Sequence, residues 1–317
     1  MKSRMALRFP FAGLRLVAAL TLAAAACLGL SGCQMAMAPK VVAPTWTLPQ
    51  GVSVQTVNGY PMAYTSRGSG PPIVFVHGVL VDYRYWQKPL ETWTADYRVV
   101  AISLRHFYPE KWDGSGENFT VAQHAKDVAA FIESIGEPVD LVGWSYGGRP
   151  AYEVARTRPD LVKKLVLVEG GPDMRPRAPG VLPDMDVAVR ASKVKKFFEA
   201  GDMDGGLAFA VDDINGPGRW ATVPEPSRQV LRDNAWTVVG IGVEAPYTRT
   251  CSEFGSLKMP VLLVKGELTT PRLRDIVLEE SKCLPNAAVV TIPKAGHSSA
   301  AMNPSALKEA VYSFLRN

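Results

Sequence analysis

The sequence predicts an open, mostly parallel α/β sheet with helices on both faces. From residue 51 onward, short runs rich in Val, Ile and Leu alternate with longer segments of helical period. The short runs lack polar alternation, which is typical of strands that are buried on both faces of a parallel sheet. Strand and helix patterns in this alternation build a layered α/β domain.

Eight strands are predicted, and the first two form a hairpin. The runs "VSVQTV" and "MAYTS" flank Asn58-Gly59, a dipeptide that favours a tight hairpin turn. The other six runs are predicted to be buried strands of the parallel sheet. They are "PPIVFVHG", "YRVVAIS", "PVDLVGWS", "KKLVLVEG", "MPVLLVKG" and "AAVVTIP".

Helix boundaries are visible at several places between the strands. Thr120 and Gln123 have the spacing of a capping box, and apolar residues then recur at helical spacing until Gly136 ends the helix. Asn303-Pro304 similarly starts a last helix. Residues 172–256 break the alternation, because they lack a Val-rich strand and contain helical pieces separated by Pro and Gly. We interpret this segment as a helical cap inserted between the sixth and seventh strands.

The first 32 residues have the organisation of a secretory signal peptide. Four basic residues precede an uncharged stretch rich in Ala and Leu, residues 16–30. The stretch ends in "LSGC", Leu30 to Cys33, which resembles the lipobox of bacterial lipoproteins. The resemblance implies that Cys33 becomes the lipidated N-terminus. A signal peptide cut elsewhere and an N-terminal membrane anchor are the alternatives, although about 15 apolar residues are short for a bilayer span.

The resemblance to lipoproteins also predicts where the protein resides. Gln34 after the cysteine favours the outer membrane over retention in the inner membrane, so a lipid anchor facing the periplasm is expected. Residues 33–50 contain three prolines and no regular period, and we interpret them as a tether to a domain spanning residues 51–317. In an oxidising periplasm Cys251 and Cys283 can form a disulfide, but two buried thiols fit the sequence equally.

Charge excludes one class of partner. The chain has 35 basic and 30 acidic residues, and removal of residues 1–32 takes away four of the basic residues and none of the acidic ones. The mature net charge is then +1, so a nucleic-acid partner has no electrostatic support. No metal-binding or nucleotide-binding motif is visible, and no cofactor is expected.

The segment Gly143-Trp144-Ser145-Tyr146-Gly147 has the form G-x-S-x-G. It directly follows the predicted strand "PVDLV" and opens a helical segment. A strand-to-helix turn this sharp has no room for side chains beside the serine, so it needs the glycines. The start of a helix also favours negative charge at the serine. These features predict that Ser145 is a nucleophile.

With this motif in its context, the chain resembles the α/β-hydrolase superfamily over nearly all of residues 51–317. The resemblance implies an α/β-hydrolase fold with a mostly parallel eight-stranded sheet. "FVHGV", residues 75–79, matches the family's loop after the third strand and implies an oxyanion hole from the N–H groups of Val79 and Tyr146. His77 in that loop matches a structural histidine. The family's base is expected at His297, in "PKAGHSSA" after the last strand.

The acid is harder to assign from the sequence. Most relatives place an aspartate after strand seven in a G-x-x-D pattern, where this chain has Thr269, and Thr269 or Thr270 before a proline suits a helix N-cap. Glu169 directly follows strand six, where a subset of the superfamily carries its acid. A carboxylate at the end of a buried strand needs a partner, so Glu169 is the preferred acid. Glu267 is the alternative, followed by Asp173 or no acid.

The resemblance implies a carboxylesterase-like serine hydrolase that acts on a small-molecule ester through an acyl-enzyme. Trp144 and Tyr83 are the predicted substrate contacts, whereas ordinary packing explains Tyr85 and Trp86 at least as well. Because the nucleophile is serine and not aspartate, haloalkane dehalogenase and epoxide hydrolase chemistry is disfavoured. Two alternatives stay open: C–C bond hydrolysis or cofactor-free perhydrolysis by the same residues, and a lipoprotein that binds without catalysis.

Overall fold

A computed structural model describes residues 43–115, 117–175, 185–244, 247 and 249–317. The predicted signal peptide, the lipidation site Cys33 and the first part of the tether lie outside these residues. Trp46 is partly buried against the core of the domain, so the predicted tether does not extend unbound as far as residue 50. None of the helices formed by the described residues has the length and hydropathy needed to cross a bilayer.

Eight strands form one sheet, as predicted, with the order β1-β2-β4-β3-β5-β6-β7-β8. The strands are β1 (Ser53–Val57), β2 (Tyr60–Arg67), β3 (Pro72–Val76), β4 (Arg98–Ile102), β5 (Val139–Trp144), β6 (Val162–Val168), β7 (Val261–Gly266) and β8 (Ala288–Ile292). β2 runs antiparallel to β1 and β4, and every other neighbouring pair is parallel. The β1–β2 hairpin turns at Asn58 and Gly59, as predicted, and both residues have positive φ.

Helices lie on both faces of the sheet. Within the described ranges they are α1 (Gln87–Thr92), α2 (Val121–Ile135), α3 (Gly148–Thr157), α4 (Met185–Glu199), α5 (Met203–Asn215), α6 (Glu225–Asp233), α7 (Thr237–Val243), α8 (Cys251–Phe254), α9 (Pro271–Cys283), α10 (Ser299–Met302) and α11 (Pro304–Arg316). In β3, Val74 and Val76 join one core cluster with α2 and α3. Ile73 and Phe75 join a second cluster with α11. Burial on both faces explains why the strands show no polar alternation.

Helix α2 begins and ends where the sequence predicts, with one difference in its cap. Thr120 Oγ1 accepts a hydrogen bond from the Gln123 N–H at 3.0 Å, and Gly136 ends the helix in the left-handed conformation. The reciprocal half of the predicted capping box is not formed, because Gln123 Nε2 donates to Asp127 Oδ1 at 2.8 Å. Asp127 is fully buried and also accepts a hydrogen bond from Arg105. A buried carboxylate needs hydrogen-bond donors, and the side chains of Gln123 and Arg105 supply them.

Helices α4 to α8 lie between β6 and β7, in the segment interpreted from the sequence as an inserted cap. Residues of α4, α5 and α7 share a third hydrophobic cluster, and Leu80 from the loop after β3 is buried in it. Cys251 at the start of α8 is bonded to Cys283 at the end of α9, which resolves the question that the sequence left open. The insertion is therefore attached to the rest of the domain by packing and by a covalent bond.

Two buried histidines fix the segments around Ser145. His77 Nε2 accepts from the Leu104 N–H at 3.0 Å, and its Nδ1 donates to Gly78 O at 2.7 Å. It is the structural histidine expected from the sequence, and burial lowers its pKa to about 4. His124 on α2 lies with Nε2 3.1 Å from a carbonyl oxygen and Nδ1 2.8 Å from Tyr146 Oη. Since a carbonyl only accepts, Nε2 carries the proton and the tyrosine hydroxyl donates to Nδ1.

His124 makes the free energy of unfolding depend on pH. Burial lowers its pKa from 6.5 to about 3, so below pH 6.5 the unfolded chain takes up a proton that the folded chain does not. The stability that depends on neutral His124 is thus fully present above pH 6.5 and declines as the pH falls toward 3. Between pH 7 and pH 5 this amounts to about 2 kcal/mol.

We expect His124→Gln, which keeps one donor and one acceptor without a titrating group, to remove this loss. The measurement is urea unfolding of both proteins at pH 7 and pH 5. Other groups titrate in both proteins and cancel in the comparison, including Asp140, whose pKa is raised to about 6 by burial. Equal pH dependence of the two proteins would contradict the assignment of a neutral, buried His124.

Candidate active site

Ser145 lies at the tip of the turn between β5 and α3. Its φ is +53°, in the left-handed region that a serine rarely adopts. A Cβ on Gly143 would lie 2.7 Å from Gly147 O, and a Cβ on Gly147 would collide with the carbonyl oxygen of His77. The close approach of these backbones requires both glycines of the motif. It also makes room for the Ser145 side chain to face the cavity described below.

A chain of hydrogen bonds leads from Ser145 to a buried carboxylate. His297 Nε2 lies 2.9 Å from Ser145 Oγ, and His297 Nδ1 lies 2.6 Å from Glu169 Oε2. An ionised carboxylate only accepts, so Nδ1 carries the ring proton and Nε2 presents its lone pair to the serine hydroxyl. His297 and Glu169 are only 6% and 4% exposed, so this chain is shielded from water.

Glu169 is held by two further donors from the strand-seven side. Its Oε1 accepts from the Gly266 N–H at 2.6 Å, and its Oε2 accepts from Thr269 Oγ1 at 2.9 Å. Thr270, and not Thr269, is the N-cap of α9, and its side chain makes no capping bond. Of the two threonines that the sequence offers for the N-cap, Thr270 therefore holds that position, whereas the Thr269 hydroxyl points back toward β6 and supports the carboxylate.

The other candidate acids point elsewhere. Glu267 is exposed and its Oε2 accepts from the Lys294 N–H at 2.7 Å, which directs it away from His297. Asp173 is buried and pairs with Arg175 at 2.7 Å. The structure thus brings Glu169, and neither Glu267 nor Asp173, to hydrogen-bond distance of His297.

The N–H groups of Val79 and Tyr146 lie in segments that adjoin Ser145. Tyr146 follows Ser145 in the chain, and a Cβ on Gly78 would be 2.9 Å from Ser145 Cβ, so the loop after β3 passes beside the serine. Neither N–H group donates in the turn, loop and cap hydrogen bonds found among the described residues. The neighbouring Leu80 N–H is engaged, because it donates to Thr237 Oγ1 at 3.1 Å.

The loop after β3 is anchored on the insertion by a buried network that the sequence did not indicate. Leu80, at φ +68°, contributes its side chain to the insertion's core and its N–H to Thr237. Thr237 Oγ1 in turn donates to Asn234 O at 2.6 Å, and Asn234 Nδ2 donates to Asp82 Oδ2 at 2.7 Å. Thr237, Asn234 and Asp82 are at most 2% exposed, so the geometry of this loop depends on helix α7 and the residues just before it.

A cavity of about 580 Å³ opens above Ser145, between the loop after β3, helices α5 and α6 of the insertion, and the segment around His297. Its size is typical of a site for a small organic molecule. Trp144 lines it, as predicted, although the ring mainly supports other groups. Trp144 Nε1 donates to His297 O at 2.8 Å, and the ring stacks on Tyr85 at 4.0 Å.

The structure corrects the expectation for Tyr83. This side chain is 4% exposed, belongs to the second core cluster and does not line the cavity. Tyr85 lines it instead. Residues Tyr83–Trp86 form a 3₁₀ turn, in which Tyr83 lies in the core and Tyr85 faces the cavity. The hydrophobic period of the sequence could not indicate this difference. Within the described ranges, no group of three or more His, Cys, Asp or Glu side chains is arranged to hold a metal ion.

The chain is similar in sequence to proteins that carry the names of hydrolases. Pimeloyl-[acyl-carrier protein] methyl ester esterase of Aeromonas hydrophila is 26% identical over 260 residues, which cover 78% of this chain and 96% of the esterase. Soluble epoxide hydrolase of Corynebacterium sp. strain C12 is 28% identical over 160 residues, about half of each protein (50% of this chain and 54% of the epoxide hydrolase).

Solved structures with the same fold cover most of the chain. A bromoperoxidase from Bacillus anthracis matches 84% of this chain and all of its own, with a TM-score of 0.71 and 21% identity. A thermophilic esterase from Thermogutta terrifontis matches 84% of this chain and 97% of its own, with a TM-score of 0.67 and 20% identity. The model of the alpha/beta hydrolase family matches residues 73–310, a span that runs from β3 into α11. The chain therefore belongs to the alpha/beta hydrolase family.

Proposed function

We propose that the protein is a serine esterase that cleaves small-molecule carboxylic esters through an acyl-enzyme. The observation that carries the proposal is the alignment of Ser145 Oγ, His297 and Glu169, joined at 2.9 Å and 2.6 Å at the floor of the cavity. The relative from A. hydrophila, which aligns with 78% of this chain, bears the name of a methyl ester esterase, and that name agrees with this chemistry.

The first half of the reaction forms the acyl-enzyme. Ser145 Oγ attacks the ester carbonyl as His297 Nε2 takes its proton, and the Val79 and Tyr146 N–H groups donate to the oxyanion that develops. Glu169 stabilises the imidazolium and keeps the ring in the tautomer that accepts from serine. The tetrahedral intermediate then collapses, and the alcohol leaves with the proton from His297.

The second half releases the acid. A water molecule gives a proton to His297 and attacks the acyl carbonyl, and the same N–H groups stabilise the second oxyanion. Collapse of this intermediate breaks the bond to Ser145 Oγ, which regains the proton from His297. Epoxide opening through an ester intermediate uses a carboxylate nucleophile, whereas the turn carries a serine, so we do not transfer the activity of the epoxide hydrolase relative.

For localisation, the proposal is a lipid anchor on Cys33 at the outer membrane, with the hydrolase domain in the periplasm. The Cys251–Cys283 disulfide supports an oxidising compartment, because structural disulfides persist mainly outside the cytosol.

Substitution of the aligned residues tests the chemistry. We expect Ser145→Ala and Glu169→Gln to lower kcat for p-nitrophenyl butyrate by about 10³-fold or more. The first removes the nucleophile, and the second removes the charge that stabilises the imidazolium and keeps His297 in the tautomer that accepts from serine. Glu267→Gln is the matched control, since it makes the same change on an exposed carboxylate, and should keep wild-type kcat. Full activity in Glu169→Gln together with loss in Glu267→Gln would refute the assigned acid. Fluorophosphonate labelling that persists in Ser145→Ala would refute the nucleophile.

A substitution at Thr237 tests the proposed oxyanion hole indirectly, because Thr237 holds Leu80, the residue next to Val79. Thr237→Val keeps the shape but leaves the buried Leu80 N–H without an acceptor, which allows Val79 to shift. We expect kcat to fall about tenfold at nearly constant KM, because the oxyanion forms only in the transition state. Thr237→Ser should restore it. A rise in KM at constant kcat, or equal effects of both substitutions, would argue against a role in positioning Val79.

The anchor is tested by Cys33→Ser. We expect this variant to lose metabolic labelling with a radioactive fatty acid and to leave the membrane fraction, because the thiol is the site of diacylation. Esterase activity should be unchanged, since the described domain begins after this residue. Membrane retention of the variant would point to an uncleaved N-terminal anchor.

A further inference from the structure

The cavity above Ser145 is lined mostly by apolar side chains, and the charged side chains among its described lining residues are basic. Its walls are mostly apolar, with aliphatic side chains from the loop after β3 and from the insertion. They include Leu80, Val211, Ile214, Val223, Val230 and Leu231. Among the described residues that line the cavity, none is Asp or Glu and two are arginines, Arg84 and Arg219. The two arginines differ in how their charge is balanced.

Arg84 is neutralised by the protein itself. Its guanidinium pairs with Asp82 at 2.7 Å and with Asp233 at 2.9 Å, and it lies over the Tyr108 ring at 3.7 Å. Two carboxylates more than balance one positive charge. Arg84 therefore joins the loop after β3 to the end of α6 and adds no net positive charge at the cavity.

Arg219 is exposed and is not balanced in this way. Within the described ranges no carboxylate lies at ion-pair distance from its guanidinium. Among the described residues, the guanidinium makes one side-chain hydrogen bond, from Nη2 to Met302 Sδ at 3.7 Å. Met302 Sδ also accepts from the Gly296 N–H at 3.2 Å, next to His297. The free charge thus lies on the same side of the cavity as the histidine.

The backbone that carries Arg219 is held in place. Asp212 Oδ2 accepts from the Gly218 N–H at 2.9 Å, and its Oδ1 accepts from the Trp220 N–H at 2.7 Å, one on each side of the arginine. Thr222 Oγ1 donates to Arg219 O at 2.8 Å. A ligand that binds the guanidinium therefore does not have to order this turn, which favours affinity.

We propose that Arg219 selects esters that combine an aliphatic segment with an anionic group. The aliphatic segment fills the apolar walls, while a carboxylate or phosphate at its far end pairs with the guanidinium. This substrate class rests on the proposed esterase function. Arg219 acts on recognition of the substrate and leaves the chemistry at Ser145 unchanged.

The test compares esters of equal length that differ in one charge. Mono-p-nitrophenyl adipate carries a terminal carboxylate on its acyl chain, and p-nitrophenyl hexanoate does not. A second pair, 4-carboxyphenyl butyrate and phenyl butyrate, places the charge on the alcohol side. We expect Arg219→Gln to lower kcat/KM about fivefold for the anionic member of at least one pair, the scale of a partly exposed ion pair. The neutral members should be unaffected.

Two controls separate this effect from general changes. Arg274→Gln removes the same charge from the surface of α9, where Arg274 pairs with Asp275. This variant should keep the wild-type kcat/KM for all four esters. Added salt should shrink the wild-type preference for the anion and leave Arg219→Gln unaffected, because an exposed pair is screened. The pair that responds shows which side of the ester faces Arg219.

The proposal is overturned if Arg219→Gln leaves every ester unchanged, or if in neither pair it lowers kcat/KM more for the anionic member than for the neutral one. Hydrolysis of the neutral esters reports separately on the proposed function. If wild type cleaves them and Ser145→Ala does not, the esterase proposal stands whatever Arg219 does. If wild type cleaves none of the esters, the esterase proposal fails and the substrate class fails with it.

Discussion

The contact between the Ser145 turn and the loop after β3 is the constraint on which the rest of the site depends. The carbonyl oxygen of His77 leaves no room for a side chain on Gly147, so the two segments approach as closely as backbones can. His77 in turn is fixed to Leu104 and to Gly78 O by its two ring nitrogens. One packing arrangement therefore accompanies the positive φ of Ser145 and brings the loop after β3 beside it. A helix start in the same place adds a favourable field for negative charge.

The insertion between β6 and β7 also contacts the loop after β3 and helps to hold it in place. Leu80 is buried among insertion residues, and its N–H ends on Thr237, whose hydroxyl continues to Asn234 and Asp82. A change in the insertion is thus transmitted to the residue next to the proposed oxyanion donor. The face of the insertion toward the cavity supplies apolar walls and Arg219. The proposed substrate contacts and the proposed oxyanion hole consequently depend on the same inserted segment.

Glu169 shows how a carboxylate can replace one expected on another strand. The position after β7, where the family resemblance led us to expect an acid, holds Thr269, and its hydroxyl donates to Glu169. The Gly266 N–H adds a second donor from β7 itself. β6 and β7 are neighbours in the sheet, so a carboxylate on one can be supported by donors on the other. The acid that we propose follows β6, and the residues at the end of β7 and just after it supply two of its hydrogen-bond donors.

The alternation of strands and helices, the hairpin at Asn58-Gly59, the boundaries of α2 and the serine turn could be predicted from the residues alone, and the family resemblance added the expected roles of His77 and His297. The features predicted from the residues depend on hydrophobic period, turn residues and helix caps, which are local properties of the chain. The three-dimensional structure was needed to place Glu169, and not Glu267, beside His297, to put Tyr83 in the core and Tyr85 at the cavity, to join Cys251 to Cys283, and to link Thr237 to Leu80. Each of these depends on which distant residues meet in space, since hydrogen bonds, ion pairs and burial across 97 or 157 positions of sequence leave no local pattern to interpret.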